Sequence, residues 1–149
     1  MTAVIQRITD SSVIADGIAA GKARNGLFIL LGVRSGDTEE TALRMADKIT
    51  AMRIFEDENG RMNFSVKDVG GEVLVVSNFT LCASCKRGNR PDFFGAEKPE
   101  RANLLYELFS SRMRQNGLHT ENGVFGADMK ISLSLDGPVT IVLDSEIFS

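Results

Sequence analysis

The chain has 149 residues, 43% of them hydrophobic, which suits a single globular domain (1–149) with a core of its own. Its formal net charge of −3 excludes a general polyanion binder, so any nucleic-acid contact must use a local basic patch. The longest apolar stretch, Gly26 to Val33, is far too short to cross a membrane, the N-terminus enters a strand pattern rather than a signal peptide, and two cysteines with six methionines fit a reducing cytoplasm.

Ala3 to Ile8 alternates as a half-buried strand, with Arg7 its one charged residue. Ser12 to Ala15 continues it, Asp16-Gly17 is a strong two-residue hairpin signal, and Ile18 to Ala23 returns. Asn25-Gly26 reads as a further turn before Leu27 to Val33, a continuous apolar run that suits a central strand. The first third is therefore expected to be a β-meander. Asp37 or Thr38 can cap a following helix whose apolar face is Ala42, Met45, Ala46, Ile49 and Met52. Arg53-Ile54-Phe55 resumes extended structure, Glu58-Asn59-Gly60 turns it, and Met62 to Val66 is a weak strand.

Val73 to Leu81 is a second candidate central strand, which turns polar at Ser77, Asn78 and Thr80. A long basic segment, residues 82–98, follows, and loops of that length in compact domains are often functional. Pro99 opens a second helix with a stripe of Ala102, Leu105, Leu108, Phe109, Arg112 and Met113, and Asn116-Gly117 ends it. Near the C-terminus, the alternating run Met129 to Leu135 and the β-branched run Val139 to Leu143 flank Asp136-Gly137-Pro138. That pattern predicts a hairpin with a stiff tip. The tip is either a plain joint between strands or a rigid backbone probe carrying exposed carbonyls. The whole reads as α+β, a mostly antiparallel, barrel-like sheet core with two main helices.

Familiar catalytic constellations are mostly missing. The one histidine, His119, follows a helix end and reads as an exposed loop residue. Cys82 and Cys85 form a C-x-x-C pair, but Lys86-Arg87-Gly88-Asn89-Arg90-Pro91 after them is a poor helix start for a reactive thiolate, and no second ligand pair matches a zinc site. Neither a metal nor a cofactor is implied. Lys86, Arg87 and Arg90 are either a solvated loop or a patch that positions phosphates without reading sequence. Phe93 and Phe94 beside them either anchor the loop or stack on a base. Ser77, Asn78 and Thr80 are either a strand end emerging into solvent or a site; Thr80 has no base near it in sequence.

Several segments together resemble the D-aminoacyl-tRNA (D-tyrosyl-tRNA) deacylase family over the full length. They are Ala3-Val4-Ile5-Gln6-Arg7-Ile8-Thr9, Arg53-Ile54-Phe55-Glu56-Asp57, Ser77-Asn78-Phe79-Thr80-Leu81, Gly123-Val124-Phe125-Gly126-Ala127-Asp128-Met129 and Leu135-Asp136-Gly137-Pro138-Val139-Thr140. Asn78 stands where the family has Gln, and Leu135 where it has Asn. The resemblance implies a homodimeric, cytoplasmic editing enzyme for chiral proofreading, with aminoacyl-tRNA as partner and neither DNA nor a membrane. It would hydrolyse D-aminoacyl-tRNA, and glycine mischarged onto alanine tRNA, with the RNA 2′-hydroxyl assisting water. Gly137 and Pro138, joined by a cis bond, would enter the partner's site, hold the amino group and exclude an L side chain, with Arg7 fixing the turn. Ser77, Asn78, Phe79 and Thr80 would form the catalytic strand end, and Phe125 and Met129 the pocket for the terminal adenosine. The competing reading is a diverged tRNA-binding module of the same fold without catalysis.

Overall fold

The computed structural model describes residues 1–149. Strands β1 (Thr2–Ala15) and β2 (Ile18–Gly32) form a long antiparallel hairpin closed by Asp16-Gly17. Both turn residues have positive φ, 47° and 81°, the geometry that matches the twist of two-residue hairpins. Helix α1 (Glu39–Thr50) follows, capped by Thr38, whose hydroxyl accepts from Thr41 N–H. A small hairpin, β3 (Arg53–Glu56) and β4 (Met62–Ser65), leads to β5 (Glu72–Ser77). Helix α2 (Pro99–Gln115), β6 (Thr120–Asn122) and β7 (Met129–Asp144) follow, and a short 3-10 helix, Ser145–Phe148, comes after β7.

The main sheet has the order β6-β5-β2-β1-β7. Its two long pairings, β1–β2 and β1–β7, are antiparallel; the short β2–β5 and β5–β6 pairings are parallel, because α1 and α2 carry the chain back before each new strand. The expectation of two helices on a predominantly antiparallel sheet holds. The barrel-like closure does not: β6 and β7 are free edges with no hydrogen bonds between them, so the sheet is open.

One face of the sheet packs on both helices through a continuous core that includes Ile5, Leu27, Ile29, Leu31, Val73 and Val75 against Met45, Ile49, Leu105, Tyr106 and Phe109. Arg112 of α2 clamps Asp47 of α1 with two hydrogen bonds of 2.7 and 2.9 Å, which holds the Asp47 carboxyl below its usual range. On the opposite face a smaller cluster gathers Ile8, Val13, Ala23, Phe28, Leu74 and Val76. No helix is long and apolar enough to cross a membrane.

Three local expectations are corrected. Asn25-Gly26 is not a turn, and β2 runs straight through it. Gly26 is there because β5 passes too close for a side chain: a Cβ would lie 1.9 Å from the Glu72 carbonyl oxygen. The meander is therefore one hairpin. The strand expected to reach Leu81 stops at Ser77, where Asn78 caps a 3-10 helix, Phe79–Cys82. Finally, the runs flanking Gly137-Pro138 do not pair with each other. Both lie along β1 as one edge strand, with Ile8 facing Leu135 and Gln6 facing Thr140. Asp136, Gly137, Pro138 and Val139 are left opposite Arg7 alone, so the tip is a bulge pushed out of β7.

The close approach at Gly26 gives a sharp test. Gly26→Ala should lose at least about 3 kcal/mol in urea unfolding, because backbone rather than a flexible side chain must move. A loss below about 1 kcal/mol, the scale of a simple propensity change, would contradict that contact.

Candidate active site

A cleft of about 690 Å³ opens where β5 ends. Its floor is Leu30 of β2 with Val76 and Ser77 of β5, and Asn78 and Phe79 form the adjoining wall. Phe125 to Met129, the link between the two sheet edges, forms another wall, and Phe93, Ala96, Glu97, Pro99 and Ala102 close the third. The lining is mostly apolar with a few polar groups, the usual make-up of a small-molecule pocket.

The strand end is built by its own side chains. Asn78 N–H donates to the Leu31 carbonyl at 2.8 Å, which fixes it to β2. Its amide oxygen accepts from Thr80 N–H at 3.2 Å and also from the Thr80 hydroxyl. An amide cannot take the proton of that hydroxyl, so the contact orients Thr80 without activating it as a nucleophile. Thr80 is not among the residues lining the cleft. His119 supplies no base either: it is exposed and contacts Glu121 at 3.3 Å. Phe79 is 60% exposed and packs edge-on against Phe93 with ring centroids 5.0 Å apart.

Tyr106, the chain's one tyrosine, is a residue that sequence reasoning missed. Its hydroxyl donates to the Val75 carbonyl at 2.8 Å, and its ring lies 6.0 Å from that of Phe125. It thus ties α2 to the strand that delivers Ser77 and backs the wall that carries Phe125. Its place on the buried stripe of α2, between Leu105 and Phe109, was the available signal. Cys82 is buried, with its thiol pushed up by that burial, the reverse of what an attacking thiolate needs.

A second cluster lies elsewhere. Arg7, 8% exposed, sends Nε to the Asp136 carbonyl at 3.2 Å and to the Asp136 carboxylate at 2.9 Å. Its Nη1 donates to the Ile54 carbonyl at 2.8 Å. The bulge it secures is exposed at Asp136, Gly137 and Pro138, and the Gly137–Pro138 peptide bond is cis. Arg7, Gly137 and Pro138 are all missing from the cleft lining. Of the residues singled out from sequence, Ser77, Asn78, Phe79, Phe125 and Met129 lie in the cleft, Gly137 and Pro138 lie on the edge strand β7 with Arg7 of β1 beneath them, and Thr80 belongs to neither group.

The model of the D-Tyr-tRNA(Tyr) deacylase family matches residues 4–144. The chain belongs to that family. A D-aminoacyl-tRNA deacylase from Lactobacillus delbrueckii subsp. bulgaricus is 51% identical over 144 residues, 97% of this chain and 99% of the relative. One from Thermus aquaticus is 50% identical over 145 residues, 97% of this chain and 95% of the relative. Among solved structures, a c-Myc DNA unwinding element binding protein superposes with a TM-score of 0.89 at 39% identity, covering 97% of this chain and 98% of the other. A probable eukaryotic D-amino acid tRNA deacylase shares the fold at 15% identity, with a TM-score of 0.84 and coverage of 96% and 99%.

Within this deacylase family member, Tyr106 offers a clean test of how the cleft is braced. Burial pushes its hydroxyl from 10.0 up to about 12, so the neutral phenol favours the folded state. That contribution is complete below the unfolded value and is lost as pH rises from 10.0 through about 12. Tyr106→Phe should cost about 1 kcal/mol near neutral pH and flatten the alkaline decline in stability. An unchanged alkaline profile would show that the hydroxyl is not held as described.

Proposed function

We propose that the protein clears D-amino acids from tRNA as a homodimer, the bulge of one protomer completing the cleft of its partner. Membership of the family makes it an ester hydrolase acting on aminoacyl-tRNA, and relatives about half identical over nearly the whole chain carry that name. The observation that carries the two-protomer reading is the separation just described. The cleft has an apolar wall but lacks the Gly137-Pro138 backbone, and the bulge is exposed with nothing in its own chain to act on.

In this reading Phe125 and Met129 receive the terminal adenosine. The carbonyls of Gly137 and Pro138 accept from the substrate's amino group, and the bulge backbone occupies the space an L side chain would need. Glycine, with no side chain, passes a filter that works by exclusion, which accounts for glycyl-tRNA(Ala) as a second substrate. A water oxygen attacks the ester carbonyl with help from the RNA 2′-hydroxyl. The bond from the carbonyl carbon to the ribose oxygen breaks, and that oxygen leaves with a proton. Backbone N–H groups at the strand end steady the oxyanion, so the protein supplies orientation and exclusion rather than a base. This fits a Thr80 whose hydroxyl is committed to Asn78.

The test pairs substrates with variants. Purified protein should clear D-tyrosyl-tRNA and glycyl-tRNA(Ala) while sparing L-tyrosyl-tRNA. Arg7→Ala, which frees the bulge, should lower kcat/KM on the D ester by about 100-fold or more, and Thr80→Ala by less than about 10-fold. The reverse order would make Thr80 a nucleophile. Folded wild-type protein that binds tRNA without hydrolysing either ester would leave only a tRNA-binding module.

A further inference from the structure

The loop over residues 83–97 contributes Phe93, Ala96 and Glu97 to the cleft, but its outer half has no part in the chemistry above. It is tied down at several points. Ser84 and Asp92 exchange two backbone hydrogen bonds of 2.9 Å, Gly95 accepts from Ser35 at 3.0 Å, and Glu97 donates to Val33 at 3.0 Å. Phe93 is held against Phe79. What this frame presents is unusual for a chain with a net charge of −3. Lys86, Arg87 and Arg90 are exposed and none is in an ion pair. Phe94, next to the ring that packs in the cleft mouth, is 92% exposed. A phenylalanine that open makes no contribution to the core. On the same short loop as three exposed, unpaired cations it has the make-up of a single-strand nucleic-acid platform, with a face for a base and charges for the backbone.

We propose that this loop grips the unpaired 3′ end of the tRNA, with Phe94 stacking on a base and Lys86, Arg87 and Arg90 contacting phosphates. The inference rests on the deacylase reading for its choice of RNA. The cleft then handles the aminoacylated terminal nucleoside, while the loop recognises the nucleotides before it whatever amino acid is attached. Phosphate contacts of this kind position a substrate without reading its sequence, which suits an editor that must accept many tRNAs.

The experiment measures binding of deacylated tRNA by fluorescence anisotropy over a range of KCl, with wild type, Phe94→Ala and the triple variant Lys86→Ala/Arg87→Ala/Arg90→Ala. All four positions are exposed, so the variants keep the core intact. The triple variant should weaken binding and reduce the slope of log K against log salt by about 2, as expected for three single-strand phosphate contacts. Phe94→Ala should weaken binding about 10-fold and leave the slope unchanged. All variants should match wild type on D-tyrosyl-adenosine, which has no phosphates, and lose kcat/KM on D-tyrosyl-tRNA through KM. Unchanged tRNA affinity and slope would overturn the proposal, as would equal losses on the two substrates. If wild type is inert on both D esters while the variants still lose tRNA binding, the loop assignment stands and the deacylase reading fails.

Discussion

The guanidinium of Arg7 is the contact on which the edge of this fold depends. It sits in the middle of β1, buried, with one edge on Asp136 and another on the Ile54 carbonyl, so one side chain joins β1, β3 and the bulge in β7. Without it, the residues from Asp136 to Val139 would be an unpaired excursion from an exposed strand, free to sample many shapes. Arginine suits the position because its planar fork can serve several acceptors at once while staying charged; lysine offers a single point charge. The cost of burying that charge is offset by the Asp136 carboxylate at 2.9 Å and by two carbonyl acceptors.

The cleft follows from the sheet being open. β5 ends at Ser77 because Asn78 turns the chain into a 3-10 helix, and the link from β6 to β7 passes over the end of that strand. Closing the sheet would have brought β6 to β7 and removed the space between them. Tyr106 supports this arrangement from the helix side, tying Val75 to α2 beside Phe125. The same openness leaves β7 as a long unpaired edge, with Leu135 and Val142 exposed. Edges of that kind invite pairing with another chain unless something blocks them, which is consistent with the proposed dimer.

Much of this was legible in the sequence wherever the cause is local. The caps and apolar stripes of both helices, the Asp16-Gly17 turn and the central strand at Leu27 to Val33 all follow from short-range chemistry. One failure is local, since the strand expected to reach Leu81 is stopped by the Asn78 cap, and the other two have non-local causes. Asn25-Gly26 has the composition of a turn, but its glycine answers to Glu72, far along the chain. The alternating runs around Gly137-Pro138 look the same whether they pair with each other or both pair with β1, because periodicity fixes a face and not a partner. The polar strand end at Ser77, Asn78 and Thr80 and the Asp136-Gly137-Pro138 tip stood out in the sequence, but with no triad or ligand set beside them their roles came only through resemblance.

The claim with most at stake is that cleft and bulge act across two protomers. Co-expressing two inactive variants as a purified mixed dimer tests it directly. One would carry Arg7→Ala, which frees its bulge, and the other Phe125→Ala, which damages its cleft. The mixed dimer should regain one working site, built from the intact cleft of the first and the intact bulge of the second, and hydrolyse D-tyrosyl-tRNA at about half the wild-type rate per dimer. If cleft and bulge instead work within one chain, every site in the mixture carries a lesion, and activity no higher than that of the separate variants would contradict the account.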